Sequence, residues 1–381
     1  MSEKIAYLLG SLNRGGTETL LLDMFRNAAS NEMDAIGIYR KTGVLENDFL
    51  ASGVKMQCLP TGKNTLLYLV RLRHLLKSNN ISIVHAQQPI DAIYGLLASI
   101  FLRIKIVLTL HGYDFADSKL SLMLLKFILK NTSVNIYVSD SQRKYYTRKY
   151  KLNTAKQQTV YNGISFDKLH IESTVIRDAT LSHTPNSNNL RLEYQLSTDT
   201  LLLASVGNFV PGRDQYSICK FLKLLKESGI DFQFVFIGKR NDSTPERYER
   251  CVKFISDNNL SKNVHFLGSR NDVPDILFQL DAFVYSTEHD TFGIAVVEAM
   301  ACGIPVFVND WEVMTEITEN GNLASLYKTK DENDLFRQFS LFLQHKGLYI
   351  EKAKLASKVV RNKYGIENHI SNLKTIYSNL S

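Results

Sequence analysis

Cysteine is scarce in this chain. Cys58, Cys219, Cys251 and Cys302 are the only four in 381 residues, and no two share a CxxC spacing. That excludes a disulfide framework or a zinc ribbon and fits reduced, mostly buried thiols of a cytosolic protein. No apolar run reaches the roughly 20 residues a membrane-spanning helix needs. The start, Met1-Ser2-Glu3-Lys4-Ile5, lacks the basic-then-apolar layout of a signal peptide, so a cytoplasmic location is expected. Low-complexity tracts and repeats of solenoid period are missing. Charge of one sign is in small excess, 45 Lys and Arg against 38 Asp and Glu, for a formal +7. That does not mark a nucleic-acid partner; it suits phosphorylated small molecules or an anionic surface. No full GxGxxG is present, which counts against a dehydrogenase. No DxD-like cluster sits in a phosphate context, and no metal site is expected.

What is present is a globular composition, 44% hydrophobic and 22% charged, on a chain too long for one core. Short apolar runs alternate with amphipathic stretches, the pattern of parallel α/β architecture. Strands are predicted at Lys4–Gly10, Ala35–Tyr39, Val54–Leu59, Ile81–His85, Lys105–Leu110 and Val134–Ser139. Helices open at Gly15-Gly16 and cover Thr65–Lys77 and Lys119–Lys130. The polar stretch 173–189 reads as a linker. A second series follows, with strands at Leu201–Val206, Gln233–Ile237, Val264–Phe266, Ala282–Tyr285 and Pro305–Val308, and a last helix from about Asp331 to the end. The expected fold class is α/β: two Rossmann-like, doubly wound domains, residues 1–172 and 190–360, facing each other across a cleft. A terminal helix at about 361–381 is expected to pack back on the first. In such folds ligands sit past the strand C-termini.

One stretch concentrates the chemistry. After Tyr285 comes Ser286-Thr287-Glu288-His289-Asp290-Thr291-Phe292-Gly293, then Ile294 to Ala301, and Gly303 and Pro305 end the segment. A helix is predicted from around Thr291–Gly293, capped by Thr291 or Asp290. Bare N–H groups at such a helix start suit a diphosphate. Glu298, five residues past Gly293, lies about 7–8 Å further along the axis, placed to accept from ribose hydroxyls.

This stretch resembles the signature of the retaining glycosyltransferase family 4, whose fold is called GT-B: Glu-x7-Glu followed by Ala-Met-Ala-x-Gly-x-Pro. The second glutamate corresponds to Glu298 and the tail matches through Pro305; the first is replaced by Asp290, with Glu288 nearby as a substitute. Gly207-Asn208-Phe209-Val210-Pro211-Gly212-Arg213 resembles the family's diphosphate loop, with Asn208 where an arginine stands and Arg213 where a lysine stands. One cation remains of two. Lys239, Arg240 and Arg270 are candidate replacements, and the plain alternative for each is a solvated surface cation. Resemblance also carries Arg270 to a loop near the nucleobase, Gly15 and Gly16 to the N-terminal glycine loop, and His111 to an active-site histidine contacting the transferred sugar. His85 is read as a supporting or acceptor-side residue.

The resemblance implies transfer of a sugar, with retention and without a metal or cofactor, from a nucleotide-diphosphate sugar to a glycan or lipid-linked acceptor in surface polysaccharide biosynthesis. Catalysis would rest on His111, Asp290 and Arg213; the donor would be bound by Gly15, Gly16, Asn208, Arg213, Arg270, Phe292, Gly293, Ile294 and Glu298. Two other readings stand beside it, a sugar-nucleotide epimerase of the same fold and a non-catalytic sugar-nucleotide-binding subunit. The apolar, basic helices at Thr65–Lys77 and Lys119–Lys130, with the basic tract Arg143 to Lys156, raise peripheral contact with the inner face of the plasma membrane. Core-facing helices with solvated charges are the ordinary explanation.

Overall fold

The structure is a computed structural model that describes residues 3–113, 118–169 and 189–380. It divides into two compact units, Met1–Ser165 with Tyr364–Ser381, and Phe166–Lys363. The expected linker lies outside the described residues except for Asn189, whose side chain caps the short helix that follows it.

The first unit runs β1 (Ile5–Ser11), α1 (Gly16–Arg26), β2 (Ala35–Lys41), α2 (Glu46–Leu50), β3 (Lys55–Cys58), α3 (Thr65–Ser78), β4 (Ile83–Ala86), α4 (Pro89–Ala98), β5 (Lys105–Leu110), α5 (Lys119–Asn131), β6 (Val134–Tyr137), α6 (Asp140–Tyr150) and β7 (Gln157–Thr159). The seven strands form one parallel sheet in the order β3-β2-β1-β4-β5-β6-β7. Strands such as IAYLLGS and KIVLTL are nearly continuous apolar runs because helices cover both faces. Tyr68, Leu72 and Leu76 of α3 and Ala98 of α4 close one side, and α5 continues it with Leu125, Ile128 and Leu129. On the other side α1 packs with a helix from the far end of the chain.

The second unit runs α7 (Leu190–Glu193), β8 (Leu201–Val206), α8 (Gln215–Glu227), β9 (Phe232–Ile237), α9 (Glu246–Asp257), β10 (Val264–Phe266), α10 (Val273–Gln279), β11 (Ala282–Tyr285), α11 (Ile294–Ala301), β12 (Val306–Asn309), α12 (Glu312–Ile317), β13 (Ser325–Tyr327), α13 (Glu332–Gln344) and α14 (Lys346–Tyr364). Its parallel sheet is ordered β10-β9-β8-β11-β12-β13. Phe221, Phe232, Phe234, Phe307 and Phe339 fill its core.

The single last helix expected from Asp331 is three helices: α13, α14 and α15 (Ile366–Ser378). His345 leaves helical geometry between the first two. Gly365 is extended, at φ −65° and ψ 150°, and bridges to Ile164, so the chain breaks there. α15 then sends Ile366, Ile370, Leu373 and Tyr377, one stripe at helical spacing, into the core of the first unit. Each such burial is worth about 1.5–3 kcal/mol.

Candidate functional site

In each sheet the strand order reverses at one place, between β1 and β4 and between β8 and β11. Loops that leave neighbouring strands in opposite directions open a crevice there, where open α/β sheets bind ligands. In the second unit those loops are residues 207–214 and 286–293, the two stretches the sequence singles out.

They are stitched together by backbone. The Gly212 carbonyl accepts from the Glu288 and His289 amides and from the Thr287 hydroxyl at 2.9 Å. Gly212 has φ 88°, a left-handed conformation that favours glycine. Thr287 is fixed from the other side by Asn309 at the end of β12: the Thr287 amide donates to Oδ1 at 2.9 Å, and Asn309 Nδ2 donates to the Thr287 carbonyl at 2.8 Å.

Asp290 is the hub. One carboxylate oxygen accepts from the amides of Thr291, Phe292 and Gly293, at 2.8, 3.3 and 3.2 Å. The other accepts from Arg213 Nη1 at 2.7 Å and the Tyr285 hydroxyl at 2.5 Å. The Arg213 guanidinium also lies over the Tyr285 ring, 4.8 Å from its centroid. Glu288 turns away and pairs with Lys330 at 2.7 Å, holding that ammonium above its ordinary pKa. Of the two acids considered for this position, Asp290 is the one beside Arg213.

The helix start differs from expectation. α11 begins at Ile294, with Gly293 as its cap at φ 82°. A side chain at 293 would also press on Met314. Phe292 and Gly293 were expected to offer bare amides; those amides face the Asp290 carboxylate, because its short side chain folds over the next three residues. Among the described residues, the first-turn amides with no acceptor are those of Ile294 and Ala295, since Val296 and Val297 already donate to the Gly293 carbonyl. Glu298 stands half-buried one turn further along. Its charge, after burial itself, helps push the Cys302 thiol up to about 12.

The other cations divide. Arg240 pairs with Asp242 and Glu249, and Arg270 is held in a two-pronged pair by Asp272, at 2.8 and 2.5 Å. Lys239 is exposed. Asn208, which replaces a cation, accepts the Lys239 amide at 3.0 Å, while Phe209 donates to the Lys239 carbonyl. Its carboxamide oxygen thus ties the loop after β8 to the loop after β9.

In the first unit, Gly15 caps α1 in an extended conformation, φ −151°, so no left-handed turn demands it. What crowds the position is Glu18, whose carboxylate folds back to within 2.5 Å of where a Cβ would sit. Burial raises the pKa of that carboxyl, and the residue's own amide opposes the shift. Gly16 is the first residue of α1. His111 follows β5 and meets Gln87 Oε1 through Nε2 at 2.8 Å. Burial, then the neighbouring His369, pushes its pKa down to about 3.

His85 does not reach a strand-end loop. Both its nitrogens are used inside the core, Nδ1 with the Tyr377 hydroxyl at 2.6 Å and Nε2 with Thr109 Oγ1 at 2.7 Å, and Tyr377 in turn meets the Tyr7 hydroxyl at 2.7 Å. It is a packing residue.

Tyr285, Gln87 and Asn309 were missed by sequence reasoning. Tyr285 closes a strand just before the motif, the one available hint. Asn309 and Gln87 act through partners 22 and 24 residues away, beyond local pattern.

Comparison with known proteins identifies the family and the fold. The family profile "Glycosyl transferases group 1" matches residues 186–364, and "Glycosyltransferase Family 4" matches residues 14–168. The chain is 27% identical over 315 residues to N-acetyl-alpha-D-glucosaminyl L-malate synthase of Bacillus anthracis, covering 81% of this chain and 77% of the relative. It is 23% identical over 390 residues to the UDP-Gal:alpha-D-GlcNAc-diphosphoundecaprenol alpha-1,3-galactosyltransferase of Escherichia coli, covering 98% and 96%. Among solved structures, HepE of Anabaena in complex with UDP superposes with a TM-score of 0.85 at 16% identity, over 99% of this chain and 100% of that one. WaaG, a glycosyltransferase involved in lipopolysaccharide biosynthesis, gives 0.71 at 16%, over 98% and 99%.

Proposed function

Since the chain belongs to glycosyltransferase family 4, with the GT-B fold, we propose that it transfers a sugar from a nucleoside-diphosphate sugar, with retention of configuration and without a metal ion or cofactor, to a glycan or lipid-linked acceptor in surface polysaccharide assembly. The observation that carries this is the cluster of Arg213, Asp290 and the unpaired amides of Ile294 and Ala295 at the switch point of the second sheet.

As the anomeric C–O bond breaks, its electron pair goes to the β-phosphate oxygen. Arg213 and the two amides are preorganised donors for that charge, and removing one such donor typically costs about 10²–10³ in rate. Glu298 accepts from the ribose hydroxyls, and the Arg270 loop lies toward the base. The acceptor oxygen bonds the anomeric carbon on the face the diphosphate leaves, and its proton departs with the diphosphate. In this reading His111, kept neutral by its surroundings, is a hydrogen-bonding contact for the sugar rather than an acid. Gly16, exposed at the start of α1, leaves backbone accessible in the same unit, with Gly15 before it under the Glu18 carboxylate.

One relative is named for a diphosphoundecaprenol acceptor. No helix among the described residues is long and apolar enough to cross a membrane. The relative's acceptor supports a protein held peripherally on the inner face of the plasma membrane.

A thermal-shift screen of nucleoside diphosphates and their sugars tests the donor site, because a ligand at a hundred times its Kd adds about 2.7 kcal/mol of stability. A matching donor should raise Tm in the wild type and not in Arg213→Ala. Release of nucleoside diphosphate should depend on acceptor and survive EDTA. Acceptor-independent turnover would point to an epimerase, and binding without turnover to a non-catalytic subunit.

A further inference from the structure

Helix α5 carries apolar residues on two opposite sides. Leu125, Ile128 and Leu129 face the core. Leu120, Met123 and Phe127, spaced at i, i+3 and i+7, point away from it and are 76%, 68% and 57% exposed. Apolar residues on both sides of a helix are ordinarily covered on both. Here the outer set is not.

The neighbouring elements repeat the feature. α3, α4 and α5 lie side by side on one face of the first sheet. α3 buries Tyr68, Leu72 and Leu76 and turns Leu66 and Val70 outward. The turn after α4 presents Phe101, which is 99% exposed and has φ 61°. A non-glycine residue in that region carries strain of about 1 kcal/mol or more, and the ring of Phe101 is left in full contact with solvent. Arg73 of α3 locks this turn by donating to the carbonyls of Ala98 and Ile100 at 2.9 and 2.6 Å.

Charge selects the partner. The segments 65–78, 97–105 and 119–131 contain no Asp or Glu, while Arg71, Lys77, Arg103, Lys119, Lys126 and Lys130 lie among their exposed residues. A second copy of this chain meeting the same face would oppose like charges. An anionic bilayer would pair them, each basic residue near such a surface adding to binding. α5 has 13 residues, about 20 Å of rise, too short to span a bilayer and suited to lying in its interface.

We propose that the outward side of α3, the α4–β5 turn and α5 is a docking surface for an anionic lipid bilayer, with Leu66, Val70, Phe101, Leu120, Met123 and Phe127 entering the acyl boundary and the basic residues meeting headgroups. This deepens the peripheral-membrane reading above and rests on it for its purpose, which is to hold the enzyme where a lipid-linked acceptor resides.

The test is co-sedimentation of the full chain with phosphatidylethanolamine vesicles, with and without phosphatidylglycerol. The wild type should pellet with the anionic vesicles and be released by salt. The combined Leu120→Ser, Met123→Ser, Phe127→Ser variant should lose roughly tenfold or more in partitioning. Lys126→Glu with Lys130→Glu should lose the dependence on phosphatidylglycerol. All three proteins should show the same thermal shift with the matching nucleoside diphosphate, which reports on folding and on the separate donor site. The proposal is overturned if the wild type stays in the supernatant with both vesicles, if the serine variant pellets like the wild type, or if sedimentation equilibrium finds a dimer that the serine variant abolishes. Vesicle binding without any nucleotide shift would leave the docking surface standing and remove the donor-site reading; the reverse result would do the opposite.

Discussion

Arg213 and Asp290 are 77 residues apart in the chain and joined by a 2.7 Å hydrogen bond. That contact crosses between the two loops of the switch point, with both side chains largely buried, 24% and 12% exposed. It makes Arg213 a strut between the loops as well as the proposed phosphate contact, and substitutions there should show both losses.

Arg213→Ala should lower kcat by about 10²–10³ and stability by about 1–3 kcal/mol, since the Asp290 carboxylate keeps its amide donors but loses its charged partner. Steady-state kinetics and urea denaturation separate the two effects. Arg213→Lys should recover most of the stability and only part of the rate, because a point charge cannot match the planar fork. Equal recovery of both would refute the dual role.

The Asn208 carboxamide oxygen accepts the Lys239 amide and so ties two loops together. Asn208→Ala should reduce stability by about 0.5–1.5 kcal/mol through the lost bond to the Lys239 amide, with donor Kd changed less than twofold, roughly the noise of such measurements. Calorimetric titration of the donor decides it. A large rise in Kd would place the carboxamide on the diphosphate after all.

Gly293→Ala tests the cap of α11. Met314 Cε, 2.6 Å from the added Cβ, is the tip of a flexible side chain and can move. The φ of 82° cannot be relieved so easily. A loss of about 1–2 kcal/mol is expected, read as a fall in Tm, together with weaker donor binding because the Ile294 and Ala295 amides would be re-aimed.

Stability should fall in mild acid. Burial is the main cause holding His85 and His111 near pKa 3 and His369 near 4, against an ordinary value of 6.5. The unfolded chain therefore binds protons that the folded chain refuses, and stability rises with pH between those values. Above about pH 6.5 the three contribute no slope; from there down to about pH 4 their combined slope approaches ~4 kcal/mol per pH unit. Urea melts from pH 7.5 to 4.5 would show this. His85→Gln should flatten the slope by about a third, and a flat profile in the wild type would contradict the burial of these rings.

The sequence revealed the strands well because each is a dense apolar run in a parallel sheet, where burial on both faces leaves an unmistakable mark. It also singled out Asp290 and Glu298, which share one local motif, and Arg213, which lies in another. It could not reveal that Asp290 bends back over its own loop, since that depends on Arg213 and Tyr285 arriving from other positions. The break at Gly365 was missed for a related reason: glycine alone does not end a helix, and the bridge to Ile164, some 200 residues earlier, is what makes the extended conformation favourable. His85 read as a site residue because a histidine near a strand end looks the same whether its partner is a ligand or Tyr377.

The location of α15 has a consequence for synthesis. The first half of the chain leaves the ribosome with its sheet strands complete, yet one side of its core lacks Ile366, Ile370, Leu373 and Tyr377 until the far end has been translated. Through that interval the nascent domain carries an open apolar wall and a His85 without its Tyr377 partner. Emergence of α15, rather than of the early segment, is then the moment at which the N-terminal half can settle, and a transcript cut short before Ile366 would leave a product for the chaperones and proteases to recognise.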